Sequence, residues 1–493
     1  MLAPMNTPPT DSAQAPRIAI IGGGLSGLAA AHRLGTLAKD AGRPLQIVLF
    51  EAGDDVGGLV GTKRVGDYLV ETGADSFITN KPWAIQLCRE LGIEDRLLPT
   101  DPTFRRSLVL HDGKPVSVPE GFMLLAPAKL WPVLTSPIFT LRGKLRMAME
   151  YFVGRNGGEA EESLASFVRR RFGQEALDRL VQPLVGGIYT SDPEKLSLTA
   201  TLPRFLDMER DHGSLIRASR KTTGKQSGAE TEGSGARYGL FAAPEKGISE
   251  LADTLANAVH KLTEVRTATP VSSVEPLASS EAAGWQVQMS NGHSEQFAAV
   301  IFALPAYKTG DLVAGFDKEL AGALQSIEYA SSAIVVSGHQ LKDIAHPLDA
   351  FGLVIPAIEN RKILAVSFAS RKFPGRAPEG RIILRTFVGG AMQPELCQLD
   401  DEQLKTLVRE ELADILGVGG EEDFSLIARF DRAMPQYHVG HLDRVAQIES
   451  QAATHAGLAL AGNAFHGVGI PDTVHSGRNA AEKVFETLLK ACP

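Results

Sequence analysis

The residues best placed to do chemistry lie between Arg17 and Glu51. A β run, Arg17-Ile18-Ala19-Ile20-Ile21, enters the turn Gly22-Gly23-Gly24-Leu25-Ser26-Gly27. An alanine- and leucine-rich helical stretch, Leu28 to Ala38, follows. A second apolar run, Leu45 to Phe50, then ends on Glu51. Strand, glycine turn, helix, strand and terminal acid, in that order, form a dinucleotide fingerprint. Gly22 permits the tight turn, Gly24 lets the backbone approach a pyrophosphate, and Gly27 lets the helix pack closely on the strand. The phosphates would sit at the positive end of the helix, within the loop that Gly23, Leu25 and Ser26 complete. Glu51 would accept hydrogen bonds from the ribose hydroxyls of an adenosine half.

Further stretches extend this chemistry. Ala52 and the pair Gly57-Gly58 follow Glu51, with Leu59 next in line. An acid followed by a Gly-Gly turn suits large FAD enzymes better than NAD dehydrogenases, because the glycines bring more N–H groups against the cofactor. An ordinary hairpin loop is the alternative. Tyr68 to Phe77 reads as a strand running into the small-residue turn Gly73-Ala74-Asp75-Ser76, where side chains would not crowd a flat ring system. Near the C-terminus a strand (Leu458 to Ala461), a glycine turn (Gly462 to Ile470) and a helix (Ala480 to Ala491) could bring N–H donors to a flavin and its ribityl chain. His466 and His475 lie in or beside this turn, but no Ser-His-Asp set is evident, and no residue is singled out as catalytic.

The elements that must position these residues are spread along 493 residues, enough for two or three domains. The formal charge of −8 argues against nucleic acid as a partner. Cys88, Cys397 and Cys492 stand far apart without a CxxC pair, which suits a reducing compartment and offers no metal site. Met1 to Ala15 reads as a short disordered tail without a signal peptide. No run of 18 apolar residues is present, so no spanning helix is expected.

Lys81 to Leu91 is helical in pattern, and Ser107 to Leu110 with Val116 to Val118 form a hairpin that Arg105 and Arg106 lead into. Gly121 to Arg146 is unusual. Apolar residues and Trp131 are interrupted by Pro127, Pro132 and Pro137, and flanked by Lys129, Arg142, Lys144 and Arg146. The prolines forbid one long helix. The composition suits a peripheral membrane contact through 121–146, a channel for a greasy substrate, or a buried helical subdomain. Asp211 to Arg237 is polar and reads as a mobile loop. Strands are expected over Val265 to Val274, Trp285 to Met289 and Val300 to Leu304. A second sheet block is expected over Ala333 to Gly338, Phe351 to Ile355, Ile363 to Phe368 and Ile382 to Val388, with a helix over Glu402 to Leu416.

Together these residues resemble the flavin amine oxidase superfamily, and more closely its oxygen-dependent porphyrinogen oxidases, which act on protoporphyrinogen IX or coproporphyrinogen III in haem biosynthesis. The resemblance is carried by Gly22 to Gly27, Glu71 to Phe77, Gly187 to Ser197, Met434 to His441, and Leu460 to Asn463 with Gly467 to Asp472. It implies an FAD cofactor. Gly22 to Gly27 would take the pyrophosphate, Glu51 the ribose, and Val271 the adenine half. Leu59 and Gly73 to Ser76 would lie near the flavin, with Asn463, Val468, Gly469 and Ile470 closing its far side. Phe351, Gly352 and Val354 match positions that sandwich the tetrapyrrole, Phe351 stacking on it and Gly352 leaving room. Arg106 would meet a propionate, an assignment that stands between it and Arg105. Lys81 matches members that favour coproporphyrinogen. In such enzymes a meso carbon delivers hydride to the flavin, O2 reoxidises it to give H2O2, and three rounds remove six electrons.

The fold class expected is α/β. A Rossmann-like FAD domain is assembled from 16–80, 238–306 and 440–493, and a mixed-sheet substrate domain from 81–120 and 307–439. A helical insertion spans 121–211 and a mobile loop 212–237. The expected location is the cytoplasm, with a peripheral membrane contact and handover to other haem-pathway enzymes as open partner readings. The competing functions are an amine oxidase or polyene desaturase on the same fold, and a porphyrin carrier that keeps FAD as structure. Substrate preference and oligomeric state are not legible.

Overall fold

The computed structural model describes residues 15–127, 129–155, 161–223, 241–277 and 284–491. Residues 1–14, most of the expected tail, and Cys492 fall outside them. Five parallel strands form the first sheet, in the order Glu264–Arg266, Gln46–Phe50, Arg17–Ile21, Ala299–Phe302, Leu458–Leu460. The continuous apolar run of Ile18 to Ile21 within Arg17–Ile21 follows from burial on both faces. Ile18 and Ile20 pack under the helices Leu25–Asp40, Ser249–Val259 and Ile470–Ala491. Ala19 and Ile21 pack on the other side, against Ala306–Val313, Lys318–Gln325, His441–Ala452 and a three-stranded antiparallel sheet.

A seven-stranded mixed sheet runs in the order Phe424–Pro435, Tyr329–Gln340, Arg381–Gly389, Ala365–Phe368, Gly352–Val354, Ser107–His111, Lys114–Ser117. Strand periodicity divides its faces. Leu108, Leu353, Val366 and Leu384 point to a core closed by the helix Asp401–Leu416. The alternate positions Gly352, Val354, Ser367, Arg385 and Phe387 therefore share the opposite face. Helices between Leu130 and Thr223 build a separate core around Phe167, Leu180 and Phe205. Trp131 (74% exposed) and Phe152 (82%) stand outside it.

Three expectations differ. The supposed mobile loop 212–237 begins as a helix, Leu215–Thr223; residues 224–240 lie outside the described ones. The buried carboxylate of Glu150 accepts the N–H groups of Leu215 (2.9 Å) and Ile216 (3.3 Å) and the hydroxyl of Ser214 (2.6 Å), anchoring this helix start. Glu150 is itself neutralised by the buried Arg171 at 3.1 Å. The strand expected from Val265 to Val274 is two strands, broken where Ala268 takes a φ of +47°. The domain edges also shift. Ala84, Leu87 and Cys88 join the core of the five-stranded sheet, as do Val313, Leu320 and Leu324 on its other face, so 83–97 and 306–327 pack with that sheet.

Candidate functional site

The helix Leu25–Asp40 starts at Gly24 with no side-chain cap and no acid in its first turn, leaving its positive end open to an anion. Gly22 holds a φ of +109°, and a Cβ on Gly27 would collide with the Gly22 carbonyl oxygen, so both glycines are set by the turn itself. Gly24 is different. The nearest atom to a Cβ there would be Cα of Gly58, at 3.8 Å. The second glycine turn is docked across from it by the N–H of Gly57 on the Gly23 carbonyl (2.8 Å). Glu51 accepts the N–H groups of Gly23 (2.6 Å) and Gly53 (2.7 Å), tying both turns to one carboxylate. Its main chain pairs with Arg266 and Thr269, two residues before Val271. This open cradle, with unopposed N–H groups at a helix start and an acid at the strand end, fits the diphosphate and ribose of a dinucleotide. Ala52 is exposed beyond the acid, and Leu59 is 55% exposed despite being apolar.

The turn Gly73-Ala74-Asp75-Ser76 meets the site face of the large sheet. Asp75 is paired with Lys372 (Nζ at 2.8 Å) and Arg385 (3.0 Å), Ser76 donates to Asp75 at 2.7 Å, and Lys372 donates to Ser76 at 2.9 Å. Arg385 also donates to the Gly73 carbonyl. Burial alone would raise the Asp75 carboxyl, but Lys372 and then Arg385 outweigh it and hold it well below the usual carboxylate range. Behind this turn lies a second buried pair, Glu71 and Arg376, 3.8 Å apart; Glu71 also accepts from Thr62 and Ile248.

The segments Gly187 to Ser197 and Met434 to His441 are bound to each other. Ser191 donates to Gln436 (2.6 Å), the Ser197 N–H to the Tyr437 carbonyl (2.8 Å), and the Val439 N–H to the Lys195 carbonyl (2.9 Å). Glu161 accepts from both the Ser197 hydroxyl and the Gly440 N–H. Tyr437 then reaches the C-terminal turn. Its hydroxyl donates to the Asn463 carbonyl (2.6 Å) and accepts the Gly467 N–H (2.8 Å). His441 stacks on its ring at 3.9 Å and is lowered to about 4 by burial. Val468 packs on the helical core and Ile470 on the first core, so the turn Asn463 to Ile470 lies between them.

The substrate residues expected from sequence are placed as follows. Gly352 and Val354 are on the site face, and Val354 stands 3.8 Å from where a side chain on Gly187 would begin. A Cβ on Gly352 would also lie 2.5 Å from the Val366 carbonyl oxygen, so the glycine makes room for the neighbouring strand. Phe351 is 3% exposed and has no free ring face as it stands. Arg106 is ion-paired to Asp349 and donates to its carbonyl (2.6 Å). Arg105 donates to the Thr100 carbonyl at 3.3 Å, with its Nε buried and unpartnered. Lys81 is held by both oxygens of Asp472 (2.7 and 2.8 Å), and Asp472 sits against Gly467 and Gly469. His466 pairs with Glu449 and His475 stacks on Trp83. An open groove of about 630 Å³ beside Lys318 and Arg444 holds none of these residues.

Sequence reasoning missed Lys372, Arg385 and Gly477. Gly477 lets the helix Ile470–Ala491 press on the carbonyl of Ser26, where a Cβ would collide. A glycine eight residues into an amphipathic helix was the available signal for it.

Residues 25–485 match the family of flavin containing amine oxidoreductases. Relatives include the coproporphyrinogen III oxidase of Bacillus subtilis (strain 168), 33% identical over 96% of this chain and 98% of its own length. Protoporphyrinogen oxidase 2, chloroplastic/mitochondrial, of Arabidopsis thaliana is 26% identical over 97% and 95%. Among solved structures, an Exiguobacterium sp. 255-15 protein superposes with a TM-score of 0.84 at 26% identity, covering 97% of this chain and 99% of that one. Cyclohexylamine oxidase from Brevibacterium oxydans IH-35A, at 16% identity, 96% and 100% coverage and a TM-score of 0.67, shares the fold.

Proposed function

The chain belongs to the flavin containing amine oxidoreductases, and on that premise we propose that it oxidises a porphyrinogen to the porphyrin with O2 as acceptor. The observation that carries this reading is the end-to-end likeness to proteins named coproporphyrinogen III oxidase and protoporphyrinogen oxidase. FAD is its cofactor. When bound, FAD supplies the hydride acceptor and the reaction with O2 that yields H2O2.

The protein's part is to bind, orient and keep dry. The Gly22 to Gly27 N–H groups would hold the diphosphate, Glu51 the ribose, and Val271 the adenine half. Gly58, Leu59 and Gly73 to Ser76 would flank the ring, and the turn Asn463 to Ile470, fixed by Tyr437, would close the other side. The substrate would lie against the sheet face of Gly352, Val354 and Phe387. Phe351 reaches it only by turning out of its buried position. Arg106 and Lys81 each carry a carboxylate partner that a substrate propionate would displace or join. Holding a preformed, water-poor slot against one face of the ring is worth several powers of ten in rate without an acid or base from the chain.

The exposed apolar residues Trp131, Leu141, Leu145 and Phe152, beside Arg142 and Lys144, support a further reading of this segment as a peripheral contact with an anionic lipid surface. Arg146 is not part of it, because it donates to the carbonyls of Arg170 and Arg171 at a helix end. No helix among the described residues is long and apolar enough to cross a membrane.

The test is porphyrin fluorescence in air, with protoporphyrinogen IX and coproporphyrinogen III side by side. Emission should grow above the autoxidation control, faster with one substrate, with H2O2 formed in a 3:1 ratio to porphyrin. FAD-loaded protein inert toward both would overturn the proposal.

A further inference from the structure

The cluster around Asp75 is out of charge balance. Lys372 and Arg385 are two cations on one carboxylate, and the neighbouring pair Glu71 and Arg376 is one to one, so it cancels nothing. Arg385 is 2% exposed, spends two nitrogens on Asp75 and the Gly73 carbonyl, and leaves its buried Nε without a partner. An excess of buried or nearly buried charge is costly unless something of opposite sign completes it. A fold needing only a rigid turn here could use a neutral, well-packed residue in place of Arg385. The surplus charge therefore points to an anion that the protein alone does not provide.

We propose that Lys372, Arg385 and Asp75 set the reduction potential of the bound flavin by keeping one net positive charge at the Gly73–Ser76 turn. The inference rests on the reading of that turn as a flavin contact. Reduction of the ring by two electrons and one proton produces a monoanion, so a fixed, dry positive charge beside it favours the reduced form. Such a charge makes the ring a stronger hydride acceptor. Lys372 and Arg385 act through the field and are positioning residues; neither exchanges a proton with substrate.

The sign of the effect separates this role from a structural one. Arg385→Met and Lys372→Met each remove a positive charge and should lower the midpoint potential of the FAD-loaded, full-length protein. Asp75→Asn removes the negative charge and should raise it. Arg385→Lys keeps the charge and should stay close to the parent. The expected change is at least tenfold in the reduced-to-oxidised ratio against a reference dye under anaerobic conditions, about 30 mV for a two-electron couple. FAD content and unfolding midpoint are read on the same samples. A cluster that merely locked the turn would lower both in every variant and leave the potential of the retained FAD unchanged. A cluster built for a substrate carboxylate would raise KM with the potential fixed. Either result, or Asp75→Asn moving the potential downwards, overturns the inference. Lys372→Met carries the test if Arg385→Met fails to fold. Parent protein that oxidises porphyrinogens yet gives these flat potentials leaves the function standing and removes this inference alone; parent protein without FAD removes both.

Discussion

Replacing Tyr437 by Phe deletes a single oxygen from the side chain that ties the Met434 to His441 segment to the C-terminal turn. That oxygen serves two main-chain groups of one turn, accepting from Gly467 at 2.8 Å and donating to Asn463 at 2.6 Å. Leaving a buried donor or acceptor unpaired costs about 1–3 kcal/mol each. Asn463 and Gly467 are half-buried, so water can reach part of each group and the lower end applies. The sum is about 2–3 kcal/mol. The ring and its stack on His441 remain, so packing adds little. Because the turn would close on FAD, about half of this should appear as weaker cofactor binding, a roughly tenfold rise in Kd, since 1.4 kcal/mol is a factor of ten. The rest should appear as a lower urea midpoint of the FAD-free protein. Fluorescence titration of apoprotein with FAD reads the first, and circular dichroism the second. Burial pushes the Tyr437 hydroxyl far above its ordinary value, so the difference between parent and variant should not change between pH 6 and 9. Unchanged FAD affinity and unchanged stability would refute the reasoning that this hydroxyl fixes the turn.

Three other outcomes are expected. Burial lowers His441 to about 4, so it is neutral when folded, while the unfolded chain takes up its proton near 6.5. Its share of stability is complete above pH 6.5 and is lost as pH falls toward 4, up to about 3 kcal/mol; urea titrations of His441→Phe should show that much less acid sensitivity than the parent. Gly477→Val forces a side chain into the Ser26 carbonyl and should cost about 1–3 kcal/mol and release FAD on gel filtration, whereas Gly322→Ala, with nothing within 4 Å, should do neither. Parent protein should float with anionic liposomes at low salt and less so at high salt, and the double variant Trp131→Ser, Phe152→Ser should stay behind; salt-insensitive absence of the parent from the vesicle layer would count against lipid contact.

What the sequence made legible follows from how local each signal is. Ile18 to Ile21 could be read because both faces of a parallel strand demand apolar side chains, and the glycine turn because its constraints lie within six residues. Phe424–Pro435 was not read as a strand. Most of its residues are half-exposed and Arg429, Asp431 and Arg432 break its apolar pattern, yet it pairs along much of its length with Tyr329–Gln340. Leu215–Thr223 was obscured by its polar composition, and what anchors it, Glu150, lies 64 residues upstream of Ser214. Lys372 and Arg385 look like ordinary surface cations until the fold carries them some 300 residues back to Asp75. That Gly352 also serves strand packing shows only once the sheet is formed, since the Val366 carbonyl that its missing side chain spares belongs to the neighbouring strand.

The order of strands in the five-stranded sheet also has a consequence for the making of the protein. Arg17–Ile21 lies at the centre, while an edge, Leu458–Leu460, and the helix pressed onto Ser26, Ile470–Ala491, are made long after it. At ~5–20 residues per second, a growing chain carries its glycine loop for roughly 25–100 s before the covering helix exists. Until then the face of Leu25–Asp40 that meets this helix lacks its partner, although the face that meets Ser249–Val259 can be covered earlier, and the nascent chain must rely on chaperones or on its other helices to keep the open face from other molecules. Cofactor capture is thereby postponed until Ile470–Ala491 has been made, so a chain cut short before Ile470 should emerge colourless and prone to aggregate.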